Sequence, residues 1–360
     1  MGPSKTVHVK THPLATAAVL AALLMAGVLG ADQAASLSSR AEPVAIRAGP
    51  ANLASVRIGV VLNYLDNPFF VAIYQGLRAE ASRLNVHLTV RSVTSNADLA
   101  AQAAQARVAV AERNDCIVVN PITATNLVTA LRGVRSPIVD VDSPIDPAAA
   151  TAAGVRIQTY IGTDDFASGR LAGARMAALL PGGGDVALVG GIADNVNSGV
   201  RLSGFEAGIR GSHVHVVVRV NADYDRTKAQ IAAERILSAH PRLSGFYAVS
   251  DDMVLGIVDA LRDAGKIGNL TVIGNDGSAE ALDHIRGGSI SADVSQYPYV
   301  MGKMAVEACV AAARGGRLPA RVDAPIALLT QHNVARAIAA FPKPLQRYSD
   351  PFMQLLRTGG

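Results

Sequence analysis

The chain has 360 residues, half of them hydrophobic and 17% charged; the length predicts about two domains, and the composition excludes a long disordered chain. Lys plus Arg number 33 against 29 for Asp plus Glu, and the excess of +4 is spread along the chain with no dense basic run. Nucleic acids and strongly acidic substrates both require a local basic patch, so neither is an expected partner.

At the N-terminus, Lys5, His8 and Lys10 form a weakly basic head, followed by an uncharged apolar run, Leu14 to Gly30, and then by Ala31, Ala34 and Ala35. Basic head, apolar middle and small-residue exit describe a secretory signal peptide over residues 1–35, with a spacer over 36–54. The run is also at the lower limit for a spanning helix, so an uncleaved anchor is the rival reading. No Cys follows it, so lipid attachment is not expected.

From Val56 onward, short β-branched apolar runs alternate with helix-length segments. Strands are predicted at Val56–Asn63, Val86–Val93, Cys116–Asn120, Pro137–Asp142, Asp185–Gly190, Val214–Val220, Gly245–Ser250, Leu270–Asn275 and Ile290–Ser295. Helices are predicted at Pro68–Leu84, Leu99–Arg113, Phe166–Leu180, Lys228–Ala239 and Met253–Ala264. Asn67 is a plausible N-cap, with Pro68 at the first helical position. Nearly continuous hydrophobic strands fit parallel sheets buried on both faces, so the fold class is α/β with two doubly wound sheets. Cys116 and Cys309 read as two buried thiols, in a chain that does without disulfides.

Enzymatic motifs are absent: no GxSxG, no HExxH and no paired Cys/His set. Gly182-Gly183-Gly184 lacks a following Lys-Ser or Lys-Thr, and no GxGxxG follows the first strand, so neither a nucleotide cofactor nor a metal is expected. Acids do cluster at predicted strand ends: Asp142, Asp164, Asp165, Asp251, Asp252 and Asp276. In an open parallel sheet those ends face the ligand. Just after the first strand, Tyr64, Phe69, Phe70 and Tyr74 crowd beside Asn63, Asp66 and Asn67. Rings beside amides and carboxylates suit a sugar, whose C–H faces pack on rings while its hydroxyls hydrogen-bond; simple helix packing is the alternative.

The segment Ile58–Phe70, IGVVLNYLDNPFF, resembles the first strand and turn of the ribose-binding protein family, the type I periplasmic sugar-binding proteins. Further motifs follow in that family's order: Val119-Asn120-Pro121, Pro137 to Asp142, Tyr160 to Asp165 with Gly169 to Gly173, Arg201 to Phe205, Ala222 to Arg226, Ala239-His240-Pro241, Ser250 to Met253, Val272 to Gly277 and Val294 to Pro298. The resemblance implies two parallel-sheet lobes joined by a three-stranded hinge that close on a ligand. It places a first lobe at 55–163 and 297–325, a second at 164–296 and 326–340, and a C-terminal tail at 341–360. By similarity, Asn63, Asn67, Phe69, Phe70 and Asp142 bind the ligand from the first lobe. Arg201, Tyr224, Ser250, Asp251, Asp276 and Gln296 bind it from the second lobe and hinge. The implied function is the substrate-binding subunit of an ABC importer, not an enzyme: a monomer that hands a sugar to a membrane permease.

The chain departs from that family's ribose binders. Ser143 stands where they carry Arg, Asn63 replaces a small residue, Ser250 replaces Asn, and Asn275 replaces an aromatic. These changes point to a small neutral sugar or polyol other than ribose. A membrane-anchored sugar sensor is the main alternative. A repressor-type effector domain shares the fold, but residues 1–55 offer an apolar run instead of a polar, basic DNA-reading motif.

Overall fold

The computed structural model describes residues 56–193 and 195–358. The signal-peptide and spacer readings lie outside the described residues. In chain order the elements begin with β1 (Arg57–Val61), α1 (Pro68–Leu84), β2 (His87–Arg91), α2 (Leu99–Ala111), β3 (Cys116–Val119), β4 (Ile138–Val141), α3 (Pro147–Ala152) and β5 (Thr159–Gly162). There follow α4 (Asp165–Leu179), β6 (Gly184–Gly190), α5 (Val196–Gly208), β7 (Val214–Asn221), α6 (Arg226–Ala239), β8 (Gly245–Ala248), α7 (Asp251–Asp263), β9 (Thr271–Asp276), α8 (Ala279–Gly287) and β10 (Ala292–Ser295). The chain closes with α9 (Pro298–Ala313), β11 (Arg321–Asp323), β12 (Ala327–Leu329), α10 (Val334–Ala340) and α11 (Pro351–Thr358).

Two six-stranded sheets result, ordered β11-β5-β4-β3-β1-β2 and β12-β10-β9-β8-β6-β7. All strand pairs are parallel except β10 with β12, which runs antiparallel as the chain re-enters the second lobe. The central strands β3, β4 and β8 are buried at every residue, as apolar runs covered on both faces must be. The edge strand β7 instead alternates exposed positions with buried or half-buried ones. One apolar cluster fills the second lobe, and two fill the opposite faces of the first sheet.

Local chemistry sets the helix ends. Asn67 is extended at φ −86°, and its side chain accepts the Phe69 N–H at 2.8 Å, with Pro68 at the first position of α1. That satisfies one of the orphan donors of the first turn. Helices α4 and α5 meet across Gly169, Gly173, Gly204 and Gly208; a Cβ at Gly169 would fall on the Arg201 carbonyl, and one at Gly204 on that of Phe166. This backbone-to-backbone approach brings Asp165 of α4 against Arg201 of α5.

The chain passes between the sheets after β5, after β10 and after β11, the three crossings the resemblance implies. It passes a fourth time, because α10 packs on α8 in the second lobe while α11 packs on α9 in the first. Within the span read as a C-terminal tail, Phe352 of α11 is fully buried in the first lobe's core. The two-thiol reading is corrected. Cys116 and Cys309 form a disulfide with a Cα–Cα distance of 5.5 Å, tying β3 to α9 across 193 residues of sequence. The separation hid it, since only the packing of α9 on the first sheet brings the two sulfurs together.

Candidate functional site

The carboxyl ends of both sheets face one cleft, where open parallel sheets present their ligand groups. A cavity of about 60 Å³ lies there. Ten of the eleven residues expected at the site line it: Asn63, Asn67, Phe69, Phe70, Asp142, Arg201, Tyr224, Ser250, Asp276 and Gln296. Asp251 does not. Its carboxylate turns away and accepts the Ser278 N–H at 2.6 Å, holding the start of α8, while its own N–H donates to Asp276 at 3.2 Å.

Asp142 closes β4 at φ 69°, a left-handed conformation that Asp tolerates better than most side chains. Its carbonyl is held from two sides, by the Tyr160 hydroxyl at 2.6 Å and by the Asn197 side-chain amide of the second lobe at 2.9 Å. Its carboxylate oxygen Oδ2 accepts from Asn120 Nδ2 at 3.1 Å and from the Ser143 hydroxyl at 3.3 Å. Burial is the main cause of its pKa rising to about 6, with Arg201 pulling the other way.

Arg201 is buried. Its Nε donates to Asp165 Oδ1 at 2.6 Å and Nη1 donates to the Val249 carbonyl at 2.9 Å, with Asp276 3.9 Å away. Burial opposes its charge, but Asp165 and Asp276 outweigh that and hold the guanidinium firmly protonated. Gln296, in the second crossing, donates to Asp276 Oδ1 at 2.6 Å and accepts from the Thr163 hydroxyl of the first crossing at 2.6 Å. Burial pushes the Asp276 pKa well up, reinforced by Asp251. Ser250 lines the cavity, and its hydroxyl is buried without a hydrogen-bond partner among the described residues.

Aromatic walls complete the site. Phe69 packs edge-on against Phe70 at 5.6 Å, and Phe70 against Tyr64 at 5.7 Å. Tyr224 stands in the second lobe and donates its hydroxyl to Asn195 at 2.8 Å. The lobes touch directly where Asn67 Nδ2 donates to Asp252 at 2.6 Å and Asn96 Nδ2 donates to the Asp223 carbonyl at 3.1 Å. A larger cavity of about 340 Å³ lies on the hinge side, walled by residues such as Phe69, Leu282, Tyr297 and Phe341. Asn67, Phe69, Asp276 and Gln296 border both cavities, and Asp251 borders the larger one; Asn63, Asp142, Arg201, Tyr224 and Ser250 border only the smaller.

Sequence reasoning missed Asn96, Ile122, Ile192, Asn195 and Asn197 as lining residues, and used Tyr64 and Ser143 only in passing. One signal was available: Asn195 and Asn197 follow the end of β6 and open α5, the position where ligand groups gather in such sheets. Among the described residues no group of His, Cys, Asp or Glu is arranged to hold a metal ion, and no helix is long and apolar enough to cross a membrane.

Residues 58–317 match the family model of the periplasmic binding protein domain. The ribose import binding protein of Bacillus subtilis (strain 168) is 30% identical over 76% of this chain and 87% of its own. The D-allose-binding periplasmic protein of Escherichia coli (strain K12) is 29% identical over 74% of this chain and 87% of its own. Among solved structures, an ABC transporter periplasmic solute binding protein from Actinobacillus succinogenes 130z with bound D-allose superposes with a TM-score of 0.74. It is 24% identical, and the match covers 78% of this chain and 100% of that one.

Proposed function

We propose that this chain, which belongs to the periplasmic binding protein family, is the substrate-binding subunit of an ABC sugar importer, capturing a small neutral sugar or polyol by lobe closure. The observation that carries the reading is the makeup of the cleft. Asp142, Phe69 and Phe70 from one lobe face Arg201, Tyr224 and Ser250 from the other. Neither lobe completes the site alone, so ligand binds the closed arrangement better than the open one and shifts the population toward it. Carboxylates and a guanidinium give the hydroxyls charge-assisted hydrogen bonds, and an analogue lacking a hydroxyl leaves a buried group unpaired.

Chemistry on the sugar is not part of this reading: it is held, carried and released unchanged. In this reading the partner is a membrane permease, and the binding protein acts as a monomer after export and signal-peptide removal; the relatives' names, an import binding protein and an ABC transporter periplasmic solute binding protein, support the transport role. Purification and mass measurement of the mature N-terminus test export, since a native protein still beginning at Met1 overturns cleavage. A thermal-shift screen over pentoses, hexoses and polyols tests the function. At a hundredfold excess over Kd, ligand adds about 2.7 kcal/mol to stability. Small-angle scattering then shows a more compact particle with the binding sugar, and NMR shows that sugar unchanged. No stabilisation by any of them, or a product in the NMR spectrum, overturns the proposal.

A further inference from the structure

The turn between β7 and α6 is strained. Asp223 and Tyr224 are successive non-glycine residues in the left-handed region, at φ 55° and 59°. Each such conformation is disfavoured for a side chain with a Cβ and persists only where its surroundings impose it. Three contacts impose it here. The Tyr224 hydroxyl donates to Asn195 Oδ1 at 2.8 Å. The Tyr224 ring lies on Gly191, where a Cβ would collide with it. From the other lobe, Asn96 donates to the Asp223 carbonyl at 3.1 Å.

Asn195 is itself held. Its Oδ1 also accepts the Ser198 N–H at 3.1 Å, capping α5, the helix that carries Arg201. One amide oxygen thus ties the ring to the helix supplying the site's cation. The Asn96 bond bridges the lobes, so it forms as they meet.

We propose that Asn195 and Asn96 are positioning residues for ligand binding, fixing the strained Asp223–Tyr224 turn so that the Tyr224 ring becomes a rigid wall of the cleft as the lobes close. This rests on the sugar-binding reading of the cleft. The hydroxyl of Tyr224 is then an anchor, and its ring face is the ligand contact. A wall completed on closure governs escape more than entry, so its loss raises the dissociation rate more than it lowers the association rate.

Tyr224→Phe is the diagnostic variant, because it keeps both the ring and the α5 cap. Two measurements are made on the full mature chain: hydrogen exchange of the amides at 222–226, and calorimetry with D-ribose, D-allose and myo-inositol as probes. Tyr224→Phe and Asn195→Ala should each speed exchange at 222–226. Tyr224→Phe should weaken the tightest-binding probe roughly 3- to 10-fold, the scale of one neutral hydrogen bond. The double variant should bind no worse than Asn195→Ala alone, since both remove the same bond. Asn96→Ala should raise the dissociation rate in stopped flow. Wild-type exchange and affinity in Tyr224→Phe, or fully additive losses in the double variant, overturn the proposal. If none of the probes binds the wild-type chain, the choice of sugars fails while the exchange comparison still decides the role of Asn195.

Discussion

Asn67 joins two tasks in one amide: its Oδ1 caps α1 through the Phe69 N–H, and its Nδ2 reaches 2.6 Å across the cleft to the Asp252 carboxylate. The bond links the first turn after β1 to the first turn of α7, so it belongs to the closed arrangement. Burial, reinforced by Asp251, raises the Asp252 pKa to about 6, leaving it largely ionised at neutral pH.

Asn67→Asp should keep the cap oxygen and lose the bridge, setting two carboxylates against each other. Sugar affinity should fall about tenfold or more, since a hydrogen bond to a charged group is worth roughly 1.5–3 kcal/mol. Combining Asn67→Asp with Asp252→Asn restores one donor and one acceptor, and affinity should recover. Calorimetry of the four proteins checks this. An equal loss in the combined variant would show that Asn67 acts only through direct contact with the ligand.

Asp142 should trade stability for binding. Its pKa rises from the ordinary aspartate range to about 6 in the folded protein, because burial disfavours the charge. A raised folded pKa means that its stabilising effect is complete below about pH 4 and is lost as pH climbs to about 6. Asp142→Asn mimics the protonated acid, so at pH 7 the variant should be more stable than wild type by up to about 3 kcal/mol. Its sugar affinity should nonetheless drop, for want of the charged acceptor. Urea unfolding of both proteins at pH 4 and pH 7, with calorimetry at pH 7, tests both halves. A stability difference independent of pH would sink the charge argument.

Much of this arrangement was legible in the sequence, for identifiable reasons. Apolar β-branched runs such as those at Val60 and Val118 announce buried strands, and Asn67-Pro68 announces a helix start. The strand-end acids Asp142 and Asp276 were readable because parallel sheets gather ligand groups at one end. What stayed hidden depends on tertiary geometry. β5, β11 and β12 are only three or four residues long and carry no usable period. Asn96 and Asn195 look like ordinary turn residues until the fold sets Asn195 beside Tyr224 within the second lobe and the meeting of the lobes sets Asn96 beside Asp223. Asp251 and Asp252 are neighbours with identical chemistry, and only the path of α7 decides that Asp252 meets Asn67 while Asp251 holds Ser278.

The Cys116–Cys309 disulfide should add stability without touching the ligand. Both residues are fully buried, on β3 and α9, away from the cleft. A cross-link closing a loop of 193 residues constrains the unfolded chain by about 5 kcal/mol in the chain-entropy account. Replacing both cysteines by alanine should lower the melting temperature markedly and leave sugar affinity at 25 °C within a factor of two. The wild-type protein should show no reactive thiol when native and none when unfolded without reductant. Two titratable thiols after unfolding without reductant would overturn the pairing.

Phe352 tests the fourth passage between the lobes. It is fully buried in the first lobe although it lies within ten residues of the chain's end. Beside it, Lys303 of α9 reaches Asp350 at 2.7 Å and the buried Glu307 at 2.6 Å, pinning the start of α11. Phe352→Ala removes the ring from a packed core and should cost about 3–5 kcal/mol by urea unfolding. Because α10 belongs to the second lobe and α11 to the first, the segment between them spans the hinge. Ending the chain after Ala340 should therefore also let the ligand-free lobes open further, raising the radius of gyration without sugar more than with it. If Phe352→Ala unfolds like wild type and the shortened chain scatters like the full one, α11 contributes neither packing nor restraint.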